Sequence, residues 1–118
     1  MKNDRPSRHD PKAYLFDMLE SARKIREYTE DMTFEEFWES SATRDAVALR
    51  MAMIGEAAKG VDAKTEKKLP AIPFDNIRGL RNRIVHDYGA INFRVVWKIA
   101  REDILPLIER LESALASE

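Results

Sequence analysis

Apolar residues recur along this chain at the three- and four-residue intervals of amphipathic helices, and no stretch keeps a strand-like alternation for long. Asp10-Pro11 has the form of an N-cap followed by proline at the first helical position. Tyr14, Leu15, Met18, Leu19, Ala22 and Ile25 then predict a helix running to about Asp31. Thr33-Phe34-Glu35-Glu36 has the capping-box pattern and opens a short helix ending near Glu39. A third helix is expected from Thr43 to Lys59, closed by Gly60. It carries two apolar stripes: Val47, Met51, Ile54 and Ala58, and beside them Ala46, Leu49, Met53 and Ala57. An apolar arc that wide packs on more than one side, either centrally in a bundle or between a core and a second subunit.

A short charged helix from Asp62 to Lys68 leads into Leu69-Pro70-Ala71-Ile72-Pro73, a stiff connector. The spacing of Ile77, Leu80 and Ile84 predicts a helix from Phe74 to His86, and Gly89-Ala90-Ile91-Asn92 a turn. The final helix is expected from Phe93 to about Leu115, kinked or restarted at Pro106. These elements predict an all-α bundle of four main helices with short additions, a single domain over residues 1–118 with residues 1–9 as a flexible tail.

Composition narrows the class. The chain has no cysteine, which excludes disulfides and thiolate metal sites and fits a reducing, cytoplasmic setting. No 18-residue apolar run is present, and the start of the chain lacks the apolar core of a signal peptide. Net charge is −1, yet the charge is unevenly spread. Arg78, Arg81, Arg83, Arg94, Lys98 and Arg101 face one acid, Asp87, between Asn76 and Arg101, a local net of +5, while residues 102–118 sum to −4. A neutral chain that concentrates its positive charge in one segment offers that segment to an anion.

Inside it lies Arg81-Asn82-Arg83-Ile84-Val85-His86-Asp87-Tyr88, with one of the two histidines. On an unbroken helix His86 falls about 180° from the Ile77 core direction, so it is not a core histidine, and about 140° from Arg81. Asn82 and His86, four apart, share a face. Bringing Arg81 and His86 to one phosphate therefore requires a wrapped arginine, a helix end near His86, or a second chain. A histidine near neutral pKa can move a proton, and an arginine can clamp a phosphate and stabilise charge on its oxygens. With no metal-ligand cluster, Gly-rich loop or HExxH motif visible, a substrate carrying its own nucleophile is favoured, and RNA has one in its 2′-hydroxyl. His86 would be the general acid and base and Arg81 the phosphate clamp, with Arg78 and Arg83 as further phosphate-binding candidates. His9, Glu35, Glu36 and Glu39 are read as solvated surface, and Trp38, Trp97, Met51 and Met53 as core or interface.

The R-x4-H spacing of Arg81 and His86, with Asn82 after the arginine, resembles the motif of the HEPN superfamily, and His86-Asp87-Tyr88 resembles the H-x-Y ending of its HepT-like branch. Tyr14-Leu15, Asp17-Met18-Leu19, Phe34-Glu35-Glu36-Phe37, Asp45-Ala46-Val47, Ile54 to Lys59, Ile72-Pro73, Ile77 to Asn82 and Val95-Val96-Trp97 extend the likeness over roughly residues 13 to 112. Arg83 departs from it, standing where relatives carry an apolar or small residue. The resemblance implies an all-α homodimer with clefts near the subunit interface and a metal-independent endoribonuclease, without cofactor, that cleaves messenger or transfer RNA as the toxin of a toxin–antitoxin pair. Its partner would be a minimal nucleotidyltransferase antitoxin that transfers AMP from ATP onto Tyr88, with a higher toxin–antitoxin complex. By that resemblance Arg81 and His86 are catalytic, Asn82 supports them and Tyr88 is the modified residue. The alternative is a non-catalytic helical dimer that binds a nucleotide or RNA and partners a nucleotidyltransferase.

Overall fold

The computed structural model describes residues 10–85 and 89–116. Within them the chain is helical, and the only sheet-like pairing is an isolated antiparallel bridge between Val85 and Ile91. The helices are α1 (Ala13–Thr29), α2 (Phe34–Glu39), α3 (Ser41–Lys59), α4 (Ala63–Lys67), α5 (Phe74–Arg78), α6 (Leu80–Ile84), α7 (Phe93–Glu102) and α8 (Ile104–Ala116). The all-α expectation holds. Side chains accept orphan backbone N–H groups at the starts of α2, α3, α4 and α7, whereas α1, α5 and α6 have no side-chain cap. Helix α1 begins at Ala13 with Lys12 as its N-cap, two residues after the start that Asp10-Pro11 predicted. Asp10 Oδ1 accepts from Lys12 N–H at 2.8 Å ahead of α1, and Thr33 and Glu36 complete the capping box of α2. Ser40 caps α3, Asp62 caps α4 and Asn92 caps α7.

Besides small shifts of start (α1 at Ala13, α3 at Ser41 and not Thr43), one element differs in kind from the periodicity, and the expected restart of the last helix falls ahead of Pro106. The helix expected from Phe74 to His86 is two five-residue pieces, broken at Gly79, and it stops at Ile84. Glycine is the weakest helix former after proline, by about 1 kcal/mol relative to alanine, so it yields first. Gly79 adopts φ −90° and ψ 7°, yet Arg83 N–H still reaches its carbonyl at 3.1 Å. Helical phase therefore carries across, and Ile77, Leu80 and Ile84 stay buried as the pattern required. The last helix restarts at Ile104, ahead of Pro106. Proline has no N–H for the carbonyl four residues back, and its ring clashes there, so the break falls at Asp103 and Pro106 sits in the first turn of α8.

Packing is dominated by α1 lying between α3 and α8, with α5 and α6 backed onto α3. The core takes Leu15, Met18 and Ile25 of α1, Val47, Met51 and Ile54 of α3, and Ile104 and Leu111 of α8, all essentially inaccessible. Burying each stabilises by about 1.5–3 kcal/mol relative to leaving it in water. Gly55 lets α5 approach α3: a Cβ there would lie 3.2 Å from the Ile77 carbonyl oxygen. Gly60 ends α3 at a negative φ of −83°, so it is not a left-handed cap; a Cβ there would meet the Tyr14 ring at 2.5 Å, so the part-exposed ring packs where only glycine leaves room without its moving. No helix among the described residues is long and apolar enough to cross a membrane.

Candidate ribonuclease site

The centre of the candidate motif is carried by α6, held from behind by α3 and followed by a pinched loop. Leu80 and Ile84 turn inward, which leaves Arg81, Asn82 and Arg83 exposed. The loop after α6 is tied at its base by two links. Asn92 N–H donates to the Ile84 carbonyl at 2.6 Å, and Val85 bridges Ile91. Asn92 also starts α7, its side-chain oxygen accepting from Arg94 N–H and Val95 N–H, each at 3.2 Å. One residue thus closes the loop and launches the next helix. Gly89 takes φ +80°, a left-handed conformation that other residues adopt at a cost. His86, Asp87 and Tyr88 lie between these anchors and outside the described residues, as do His9 and the rest of residues 1–9.

The basic segment divides on inspection. Arg78 is enclosed by acids: its guanidinium nitrogens donate to Glu66 at 2.9 and 3.1 Å and to Asp75 at 2.6 Å, and the group lies against the Phe74 ring. Those hydrogen bonds raise its pKa above the ordinary arginine value, Glu66 contributing most. With its fork filled, Arg78 locks α5 to α4. Arg101 stacks on Trp97 and donates to the Thr29 carbonyl at 2.9 Å, placing a cation at the C-terminus of α1. Arg94 lies over Phe34. Arg81, Arg83 and Lys98 are exposed and form no ion pair among the described residues. The local excess of positive charge therefore reduces, for a phosphate, to Lys98 of α7 and the two arginines of α6, which point about 200° apart around its axis.

A second feature bears on assembly. Of the two stripes on α3, Val47, Met51, Ile54 and Ala58 are buried, whereas Leu49 is 62% exposed and Met53 43% exposed. With Tyr14, Ala52 and Ala57 they form the apolar part of a depression between α1 and α3, whose remaining lining is Asp17, Glu20, Ser21 and Glu56. Trp38 is also largely exposed, with the Arg44 guanidinium stacked between it and Phe93. Sequence reasoning passed over Arg110, which comes to the same cavity as Arg83 from α8; no sequence spacing links residues so far apart. Among the described residues no three His, Asp or Glu side chains converge as metal ligands would.

The chain is similar in sequence to known proteins. The family model described as "Ribonuclease HepT-like" matches residues 18–114. A protein of Methanocaldococcus jannaschii named "Putative RNase MJ1380" is 36% identical over 106 residues, covering 90% of this chain and 97% of its own length. Another of that organism, "Putative RNase MJ0127", is 33% identical over 106 residues, 90% of this chain and 88% of the relative. The "Probable ribonuclease HepT" of Thermococcus cleftensis is 34% identical over 101 residues, 86% and 92% respectively. No solved structure matches the chain. The family match and these near full-length relatives make the chain a member of the ribonuclease HepT-like family.

Proposed function

We propose that this protein is a metal-independent endoribonuclease whose cutting site is built from Arg81, Asn82 and His86, and that it acts as the toxin of a pair silenced by a nucleotidyltransferase. The observation that carries the reading is the exposed Arg81-Asn82 turn of α6, leading straight into the pinched loop of a ribonuclease-family chain. In the reaction His86 takes the proton of a 2′-hydroxyl as that oxygen attacks the adjacent phosphorus. The bond from phosphorus to the 5′-oxygen breaks, and a protonated histidine returns a proton to the leaving oxygen. The products are a 2′,3′-cyclic phosphate and a free 5′-hydroxyl, with no net change in protons. Arg81 faces the phosphate, whose charge moves onto its non-bridging oxygens in the transition state, and paired guanidinium donors suit that charge. Asn82 supports the phosphate or the histidine.

The protein works as a homodimer in this reading. Each chain brings one such histidine, so a cleft shared by two copies supplies one as base and one as acid. The exposed Leu49 and Met53 on α3 give the second copy an apolar surface. Tyr88 is the switch: its phenolic oxygen attacks the α-phosphorus of ATP on the antitoxin, pyrophosphate leaves, and the AMP groups add negative charge where RNA phosphate must sit. Purified protein is expected to cleave RNA in EDTA and leave cyclic-phosphate ends, and His86→Ala to lose that activity. Cleavage by His86→Ala at the wild-type rate would refute the assignment. Intact mass after co-expression with a nucleotidyltransferase encoded beside it should rise by multiples of AMP in wild type and not in Tyr88→Phe.

A further inference from the structure

A cavity of about 550 Å³ opens between α5–α6 and α7–α8, on the side of α6 turned away from Arg81. Its floor is apolar, formed by the narrow exposed edges of Ile77, Leu80 and Leu107, with Ile104 buried behind them. Its rim carries Asn76, Arg83, Asp103 and Arg110, and Pro73 and Pro106 stiffen its two sides. Volume and lining fall within the range of small-molecule sites, about 300–1,000 Å³ with an apolar body and a few polar groups. Arg83 and Arg110 are exposed and have no ion-pair partner among the described residues. Arg110 follows Leu107 by three residues and Pro106 by four, so α8 presents all three on the cavity side.

We propose that this cavity is a subsite for one unpaired nucleotide, its base laid on the apolar floor and its phosphate held between Arg83 and Arg110. The chemistry of the rim sets the ligand. Two guanidinium forks match one phosphate, and the Asp103 carboxylate in the same lining disfavours the higher charge of a polyphosphate. Asp103 and Asn76 can bond the polar edge of a base, which is available only when the base is not paired. The inference rests on the ribonuclease reading and sharpens it: the substrate is single-stranded RNA, and the nucleotide in this cavity is not the one whose phosphate Arg81 holds, because Arg81 and Arg83 emerge on opposite sides of α6.

The test compares wild type with Arg110→Ala and Arg110→Glu, both at an exposed position of α8 where folding is expected to persist. Thermal unfolding checks this, and Arg110→Lys serves as a milder variant that keeps charge but loses the fork. The probes are the four 5′-ribonucleoside monophosphates, inorganic phosphate, and matched single-stranded and duplex RNA. Mononucleotide binding is expected to shift methyl resonances of Ile77, Leu80 and Leu107, and Arg110→Glu to weaken it about tenfold or more. The KM for single-stranded RNA should rise about tenfold in Arg110→Ala with kcat nearly unchanged, the mark of a group that binds ground and transition states alike. Phosphate binding as tightly as a mononucleotide would overturn the base contact. Unchanged nucleotide binding in Arg110→Glu would overturn the subsite, even with His86-dependent cleavage intact. Conversely, Arg110-dependent nucleotide binding by a protein that cleaves no RNA would uphold the cavity and sink the ribonuclease reading alone.

Discussion

Arg78 separates two accounts of the basic segment. As a phosphate ligand it would serve the substrate; as the structure places it, it staples α5 to α4 through Glu66. Removing it by Arg78→Ala deletes a two-pronged ion pair at 2.9 and 3.1 Å whose side chains are 27% and 33% exposed. Fully exposed pairs contribute about 0.2–1 kcal/mol, and hydrogen bonds to charged groups in drier places about 1.5–3 kcal/mol. The intermediate exposure and paired geometry place the Arg78–Glu66 link at about 1–2 kcal/mol. Asp75, 93% exposed, adds little despite its 2.6 Å separation. For a domain of this size that loss lowers the melting temperature by about 4 °C per kcal/mol.

The discriminating partner variant is Glu66→Gln. A structural Arg78 makes Glu66→Gln destabilising by a similar amount, and the double variant no worse than either single, a coupling of about 1 kcal/mol or more. A phosphate-binding Arg78 makes Glu66→Gln neutral or better for RNA binding, since it frees the guanidinium. Urea unfolding of the four proteins, beside the KM for RNA of each, decides the matter. Additive stabilities, combined with a KM increase confined to Arg78→Ala, would refute the structural assignment.

Asp62 gives a pH signature. The Thr65 backbone N–H, and then its hydroxyl, hold the Asp62 carboxyl below its ordinary value of 3.8, so the cap's contribution is complete above that pH and fades as pH falls through the lowered value. Asp62→Asn keeps the cap but should flatten that part of the acid unfolding curve; an unchanged curve would show that the cap does not couple to stability. Gly55→Ala gains about 1 kcal/mol of helix propensity, yet its Cβ meets the Ile77 carbonyl at 3.2 Å, so α5 must retreat. Net destabilisation with a loss of RNA cleavage is expected by thermal unfolding and turnover, and a more stable, fully active variant would contradict the close-approach argument. Leu49→Glu should leave the fold intact, because Leu49 is 62% exposed, and under the proposed homodimer it should shift sedimentation to the monomer; a dimer in both proteins would move the interface elsewhere, and a monomeric wild type would refute the homodimer.

Much of this architecture was legible in the chain. Thr33 with Glu36, Asp62 and the stripes of α1, α3 and α8 each follow a local rule, and the structure obeys those rules. The division of residues 74–86 was not legible, because Ile77, Leu80 and Ile84 bury themselves identically whether the helix is whole or broken at Gly79. Whether a glycine bends a helix depends on what lies behind it, and here that is α3 at Gly55. The pairing of Arg78 with Glu66 across twelve residues, and of Arg83 with Arg110 around one cavity, are tertiary facts that no spacing announces. Charge counting therefore overstated the phosphate-ready arginines.

The end of α6 at Ile84, and not the break at Gly79, changes what the motif requires. An unbroken helix sets Arg81 and the residue five positions on about 140° apart, which forbids a shared face. The helix ends at Ile84, Val85 is extended, and the chain is drawn back to Ile91 and Asn92, so that angle no longer governs. What replaces it is loop geometry, and Gly89 is the one described residue of that loop with a positive φ. Nothing lies within 4 Å of where its Cβ would be, so Gly89→Ala tests backbone strain without a clash. The strain is about 1–2 kcal/mol, and an asparagine, which tolerates the left-handed region, should bear less of it. If the loop orients the catalytic histidine, Gly89→Ala will reduce kcat far more than its stability loss at the assay temperature explains, and Gly89→Asn will restore much of it. Equal kcat in all three proteins, with only melting temperature changed, would mean that the turn holds the fold and leaves the chemistry to other elements.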